Sequence, residues 1–376
     1  MVNDARHAHD EQAVARRQAR AARERSPAVA NGRRGRRGWA WAGCVLALLA
    51  GAMASCVAQR PAPAFSRGGE LNPSTRAVAN YEGWTNAYRL ANGRVTLTAV
   101  PAVARVLEFG VAGRTNIFWQ DLGLLGKPAD LVLGNQAFGG AKLWVAPQSA
   151  WHSVWDFWPP CPVLDAGPCE VSILEPGALA LRGRDGSRHG VRFDRVIRLP
   201  EGAPCAQLEY TMTDTSAQPV RWGIWSVIQL RPGGRLLVPV AEADRFWWGG
   251  QPGTGRWNRV KGILEMQHSG ETSKLYANTS GGWAAYVLDD MVFILSFPPE
   301  PGATFPPGES SLEVYARQEF VELEHLSPLH ELAPGAQARM RETWFALPAP
   351  AGAAAMPVAE LRAWIEQVQR AKCEKR

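Results

Sequence analysis

The stretch AQLEYTMT, residues 206–213, decides the class of fold: Leu208, Tyr210 and Met212 share one parity, and Glu209, Thr211 and Thr213 share the other. Side chains of a strand alternate between faces, so this pattern describes a half-buried strand with one apolar side. Segments of the same kind recur on both sides of it: RVTLTAV (94–100), AVARVLEF (102–109), GVRFDRVIRL (190–199), VRWGIWSVIQL (220–230), GWAAYVLD (282–289), MVFILSF (291–297) and ARMRETWFAL (338–347). Gly, Pro, Asn and Asp separate them at intervals of roughly 8–12 residues, the spacing of a sandwich or barrel. No segment from Val95 to Leu347 sustains a helical period. The expectation is an all-β domain over residues 80–347, built as one large two-sheet sandwich.

Beyond it the pattern changes. LPAPAGAAAMP (347–357) reads as a Pro/Ala linker, and the last twenty residues place Leu361, Trp364, Ile365 and Val368 at helical spacing among charged neighbours. Residues 348–376 are therefore expected to be a linker and a short C-terminal amphipathic helix.

The chain has 376 residues and a formal net charge of +6. All of that excess lies in residues 1–38, which hold ten Arg, no Lys and four acids and are expected to be disordered; the remainder carries 31 basic and 31 acidic groups. A neutral body speaks against nucleic acid as a partner. The leader ends in Arg33, Arg34, Arg36 and Arg37, followed by the apolar run WAWAGCVLALLAGAMA (39–54). A basic segment and then an apolar run shorter than the roughly 20 residues of a membrane span is the layout of an export signal. Ala52-Met53-Ala54 suits ordinary signal cleavage, whereas Met53-Ala54-Ser55-Cys56 resembles a bacterial lipobox that would leave Cys56 lipidated. The lipobox is the favoured of the two, because a spacer-like segment (57–79) follows. The expected location is the bacterial cell envelope, with a lipid anchor in the membrane. Cysteine use agrees with export: Cys161-PVLDAGP-Cys169 reads as a short disulfide loop of an oxidising compartment. The absence of CxxC and of nearby His at ligand spacing argues against a metal. No cofactor motif is found.

Walker, HExxH and GxSxG signatures are missing. What stands out is aromatic density beside polar groups: WHSVWDFW (151–158) and RFWWGGQ (245–251). Sugar rings present flat apolar C–H faces edged by hydroxyls, so their pockets need aromatic plates with carboxylates and amides at the rim; the plainer use of such rings is to fill the space between two sheets. In FVELEHLSPLHELAPG (320–335), strand parity puts Glu322 and Glu324 on one face and His325 on the other. Two close carboxylates raise the pKa of one of them, which makes a shared polar site possible.

Three segments together, NYEGWTNAYRLANGRVTLTAVPAVARVLEFGVAGRTNIFW (80–119), FGGAKLWVAPQ (138–148) and VELEHLSPLHELAPG (321–335) followed by RETWFAL, resemble the galactose-mutarotase-like (aldose 1-epimerase-like) superfamily. Within it they are most similar to a bacterial domain-of-unknown-function branch found in exported proteins. The resemblance implies a β-supersandwich whose concave sheet binds carbohydrate. In the aldose 1-epimerases a Glu takes the anomeric hydroxyl proton and a His protonates the ring oxygen. Glu322 matches that Glu by position, with Glu324 as the alternative. At the place of the His this chain has Trp225 and Ser226, and it has no His between His189 and His268. His152 is then the candidate substitute, while Lys142, Trp144, Trp155, Trp225 and Glu324 are expected to contact the ligand. The first expectation is a carbohydrate-binding envelope protein with a Trp-lined cleft. The alternatives are an active aldose epimerase with Glu322 as base and an unusual acid, and a non-catalytic protein acting through protein contacts.

Overall fold

The computed structural model describes residues 73–132, 136–153, 161–249 and 257–371. The leader, the apolar run, Cys56, Trp155 and Cys373 lie outside them. Among the described residues no helix is long and apolar enough to cross a membrane.

Two antiparallel sheets make up the body, as the alternation predicts. The first runs, in spatial order, β1 (Ser74–Val78), β2 (Ala87–Ala91), β3 (Val95–Val100), β4 (Arg105–Val111), β5 (Ala141–Ala146), β10 (Val220–Leu230), β19 (Phe320–Leu326), β18 (Leu312–Arg317), β15 (Ser273–Asn278) and β12 (Arg245–Gly249). A short strand, β20 (His330–Leu332), pairs with the start of β10. The second runs β13 (Trp257–Val260), β14 (Ile263–Gln267), β11 (Arg235–Pro239), β16 (Trp283–Leu288), β17 (Met291–Ser296), β21 (Gln337–Pro348), β9 (Cys205–Asp214), β8 (Val191–Arg198), β7 (Ala178–Arg182) and β6 (Glu170–Glu175).

The space between the sheets is filled by one apolar core. At its centre Phe109, Phe118, Phe293 and Trp344 meet edge to face or tilted at centroid distances of 5.5–6.4 Å. Within this layer sits a polar hub. The Glu342 carboxylate accepts hydrogen bonds at Oε2 from Tyr210 Oη (3.0 Å), Ser226 Oγ (3.2 Å) and Trp344 Nε1 (2.9 Å), and its Oε1 lies 3.0 Å from His325 Nδ1. His325 therefore points inward, away from Glu322 and Glu324, as strand parity requires. A second core lies on the outer side of the second sheet, where the helix Val358–Ala371 buries Val358, Leu361, Ile365 and Val368 against Leu237, Ile294 and Phe345. Its stripe is the one the spacing predicts.

Three local expectations are corrected. The domain begins earlier than residue 80: β1, in the segment read as spacer, pairs with β2 over five residues. AVARVLEF is not one strand, because Pro101–Val103 forms a 3-10 turn and Ala104 takes a left-handed conformation before β4 starts. Cys161 and Cys169 are free thiols. The segment between them closes through its backbone instead, with Leu164 N and Asp165 N donating to Cys161 O and Gly167 N to Val163 O, around the helical turn Pro162–Ala166. Burial pushes the Cys169 thiol up, which disfavours the thiolate needed for exchange. The disulfide-bonded cysteine among the described residues is Cys205.

His189 offers a direct test of the core. It is buried, neither ring nitrogen has a hydrogen-bond partner among the described residues, and its ring stands 5.3 Å from Trp222. Burial lowers its pKa from 6.5 to about 4. Because the folded value lies below the unfolded one, its neutral form costs nothing above pH 6.5, and stability is lost as the pH falls from there towards 4. Urea unfolding at pH 7 and pH 4.5 should show about 2–3 kcal/mol more acid loss for the wild type than for His189→Phe. Equal acid losses in the two proteins would remove His189 from the account.

Candidate functional site

The face of the first sheet turned away from the second carries an array of charges. Strand parity and register place it there: Gln229 pairs with Glu322, Glu322 with Tyr315, Glu324 with Glu313, and Val227 stands between Lys142 and Glu324. Lys274 and Tyr276 of β15 continue the face, and Trp247 of β12 pairs with Tyr276. Six strands, β5, β10, β12, β15, β18 and β19, thus contribute to one surface.

The array has two centres. In the first, Lys274 Nζ lies 2.7 Å from Glu313 Oε2 and 2.9 Å from both oxygens of Glu324, and Trp225 Nε1 donates to Glu324 Oε2 at 2.9 Å. Burial opposes the charge on Lys274, but Glu313 and Glu324 outweigh it and raise its pKa well above the ordinary lysine value. Burial pushes Glu313 well up, with the Lys274 ammonium pulling against it. This centre is closed by ion pairs, one ammonium serving both carboxylates.

The second centre is not. Gln229 Nε2 donates to Glu322 Oε1 at 2.9 Å, and Lys142 Nζ stands 3.6 Å from the same oxygen. Glu322 Oε2 accepts no hydrogen bond among the described residues, and Lys142 Nζ donates none there. Lys142 and Glu322 are 6% and 8% exposed, so these unused groups sit in a nearly dry site. Burial drives Glu322 up and Lys142 down from their ordinary values, and each partly offsets the other. Half-buried rings flank the pair: Tyr315 is the register partner of Glu322, and Trp119 packs 4.9 Å from Phe320, which shares the parity of Glu322 and Glu324.

A supporting layer holds Lys142 in place. Its Nζ lies 3.9 Å from the centroid of the Trp144 ring. Trp144 Nε1 donates to Asp165 Oδ1 at 2.6 Å, and Asp165 is paired at 2.8 Å with the buried Arg105. The turn Pro162–Ala166 delivers Asp165 to this position, which is the work done by the segment read as a disulfide loop. Upstream of β5, Gly139 and Gly140 have φ of +91° and +66°. A Cβ at either would lie 2.2 Å from a backbone oxygen, that of Trp119 or Val106 respectively.

The residues expected to line the site divide as follows. Lys142, Trp144, Trp225, Glu322 and Glu324 come together on one face. Trp144, Trp151 and Trp225 are nearly fully buried and pack against one another at 5.4–5.9 Å, so they form a rigid wall; the less buried rings are Trp119, Tyr315, Trp247 and Tyr276. Trp247 and Tyr276 stack on each other at 5.2 Å with an interplanar angle of 3°. His152 is exposed on the 3-10 segment Gln148–Ser153, and no contact among the described residues joins it to Glu322. Sequence reading missed Gln229, Lys274, Glu313, Trp119 and Tyr315. For Lys274, Glu313 and Tyr315 the signal is the alternation in SKLYAN (273–278) and LEVYAR (312–317).

A family model described as Domain of unknown function (DUF4380) matches residues 86–347. Similar solved structures include a galactose mutarotase-like protein from Lactobacillus casei ATCC 334, at 11% identity and a TM-score of 0.47, covering 70% of this chain and 100% of that one. The Slr1438 protein from Synechocystis sp. PCC 6803 is 14% identical with a TM-score of 0.48, over 74% of this chain and 98% of that one. A TPR-domain containing protein from Parabacteroides distasonis ATCC 8503 is 12% identical with a TM-score of 0.50; the match spans 72% of this chain and 48% of that one. At these identities the likeness concerns the fold. No curated protein sequence matches the chain.

Proposed function

The chain belongs to the DUF4380 domain family, and from that premise we propose that it is a carbohydrate-binding protein of the bacterial cell envelope, holding a sugar over Lys142 and Glu322. The observation that carries this reading is the open donor and acceptor at Lys142 Nζ and Glu322 Oε2, set in a nearly dry surface beside the part-exposed rings of Trp119 and Tyr315. A sugar supplies what such a surface lacks: hydroxyls that accept from the ammonium and donate to the carboxylate, and C–H faces for the aromatic rings. The neutral charge balance of the body suits an uncharged ligand. The N-terminal segment fits the same role, with export by the run 39–54 and lipidation at Cys56.

Titration of the protein with a panel of aldohexoses, aldopentoses and N-acetylhexosamines tests the reading, followed by calorimetry and by the fluorescence of Trp144 and Trp225. At least one sugar should bind, and Glu322→Ala should weaken it roughly 10- to 100-fold, the effect of losing one charge-assisted hydrogen bond. A protein that binds no sugar in the panel, yet captures a defined envelope protein, would replace this reading with that of a protein-contact module. Cys56→Ala should release the protein from the membrane fraction and abolish labelling by palmitate. If the variant stays membrane-bound, the lipid anchor is refuted.

A further inference from the structure

Among the described residues the buried Lys and Arg side chains are Arg105, Lys142, Arg195 and Arg235. Three of them have a carboxylate within ion-pair distance: Arg105 has Asp165, Lys142 has Glu322 and Arg235 has Glu265. Arg195 has none there. It stands on β8, which turns Phe193, Arg195 and Ile197 into the space between the sheets, and it is 6% exposed. Its Nη1 donates to Ala104 O at 2.6 Å, while Nε and Nη2 donate to nothing among the described residues. The groups around it supply no counter-charge. Tyr210, its register partner on β9, donates its hydroxyl to Glu342 and so ties that carboxylate into the polar hub. Asp165 is spent on Arg105, and burial holds the Cys169 thiol protonated. Burial also pulls the Arg195 pKa down, but a guanidinium does not give up its proton in a protein. A full positive charge with unspent donors is strongly disfavoured between two sheets unless something pairs with it.

A cavity of about 10 Å³ lies against this guanidinium, walled by Val106, Leu208, Tyr210 and Trp344. That is about the room one small sphere needs. A buried water normally makes about three hydrogen bonds, and these largely apolar walls offer it few partners beyond the Arg195 donors. An anion needs only those donors and the opposite charge. We propose that the cavity is a binding site for one halide ion, chloride under natural conditions, held by Arg195 between the two sheets. A halide is a single atom that accepts from several donors without directional demand, whereas a carboxylate or phosphate has too many atoms for the space. Ala141 and Leu143 of β5 also line the cavity, so the ion backs the strand that displays Lys142 on the opposite face. The site does not depend on the sugar reading, and its test does not use sugar binding.

Thermal unfolding of the purified full chain at fixed ionic strength provides that test, with sodium gluconate replaced stepwise by sodium chloride or sodium bromide. The wild-type midpoint should climb with the logarithm of either halide, by about 5 °C once the halide exceeds its dissociation constant a hundredfold. Acetate in the same series should give no rise. Arg195→Met should melt at or above the wild type in gluconate, because methionine leaves no unpaired charge, and it should not respond to halide. Equal halide responses in the two proteins, or none in the wild type, overturn the site. If Arg195→Met does not fold, anomalous scattering from wild-type crystals grown in bromide decides. A bromide within hydrogen-bond distance of Arg195 supports the assignment, and a water at that place with no anomalous signal overturns it.

Discussion

Glu342→Leu should be the most damaging single substitution in the body of the protein, at a cost on the order of 5 kcal/mol. The Glu342 side chain is buried between the sheets and collects Tyr210, Ser226, Trp344 and His325 from three other strands and its own. Leucine fills a similar volume, so the loss is not one of packing. It leaves three neutral donors and a histidine nitrogen with no acceptor in a layer closed to water, and each orphaned buried group costs about 1–3 kcal/mol. Glu342→Gln retains a carbonyl oxygen for the same donors and should lose much less. Thermal unfolding separates the two variants, with a difference of roughly 10 °C expected for a domain of this size. Similar midpoints for Leu and Gln would show that the hub contributes little.

Lys274→Met should cost about 3–5 kcal/mol, the usual penalty for stripping one partner from a buried ion pair. Its ammonium lies between Glu313 and Glu324, whose side chains are 0% and 2% exposed. Without it the two carboxyls face each other across neighbouring strands with no cation in contact. The sign of the pH dependence follows. Burial already holds the Glu313 carboxyl well above its ordinary value, and loss of the cation moves it higher. An acid whose folded pKa exceeds its unfolded one contributes stability at low pH that is lost as the pH rises through the window between them. The deficit of Lys274→Met should therefore be smallest under mildly acidic conditions and largest at neutral pH, and Lys274→Met/Glu313→Gln should recover part of it. A deficit independent of pH, measured by urea unfolding at several values, would contradict this account.

The strands and their faces were legible because periodicity is a property of single segments. The alternation of Leu208, Tyr210 and Met212 identifies β9, and the two-residue spacing of Glu322 and Glu324 places both carboxyls on one side without reference to anything else. The helical stripe of Leu361, Ile365 and Val368 is of the same kind. Neighbourhood across strands is different. Lys274 meets Glu324 across a separation of fifty residues, and Gln229 reaches Glu322 across ninety-three, distances over which parity says nothing about register. The same limit explains His152: a histidine close in sequence to aromatic residues was the natural substitute for a missing acid, yet its short helical turn leaves it exposed, while Lys142 stands at Glu322 through the pairing of β5 with β10 and of β10 with β19. Cys161 and Cys169 mark a related ambiguity. Eight residues of spacing with prolines between is compatible with a bridge, but equally with a helical turn that carries Asp165 to Arg105.

The paired glycines before β5 bear on how this site can vary. Any side chain at Gly139 or Gly140 collides with a main-chain oxygen rather than with a side chain that might yield. The path of the chain into β5 is thus closed to point substitution, whereas the side chain two positions on, at Lys142, meets only other side chains. Chemistry at this site is free to change by replacement of what the strand displays, and drift in where the strand lies is not. A descendant that lost the ammonium would keep the same cradle, and with it the means to present a different group to the same place.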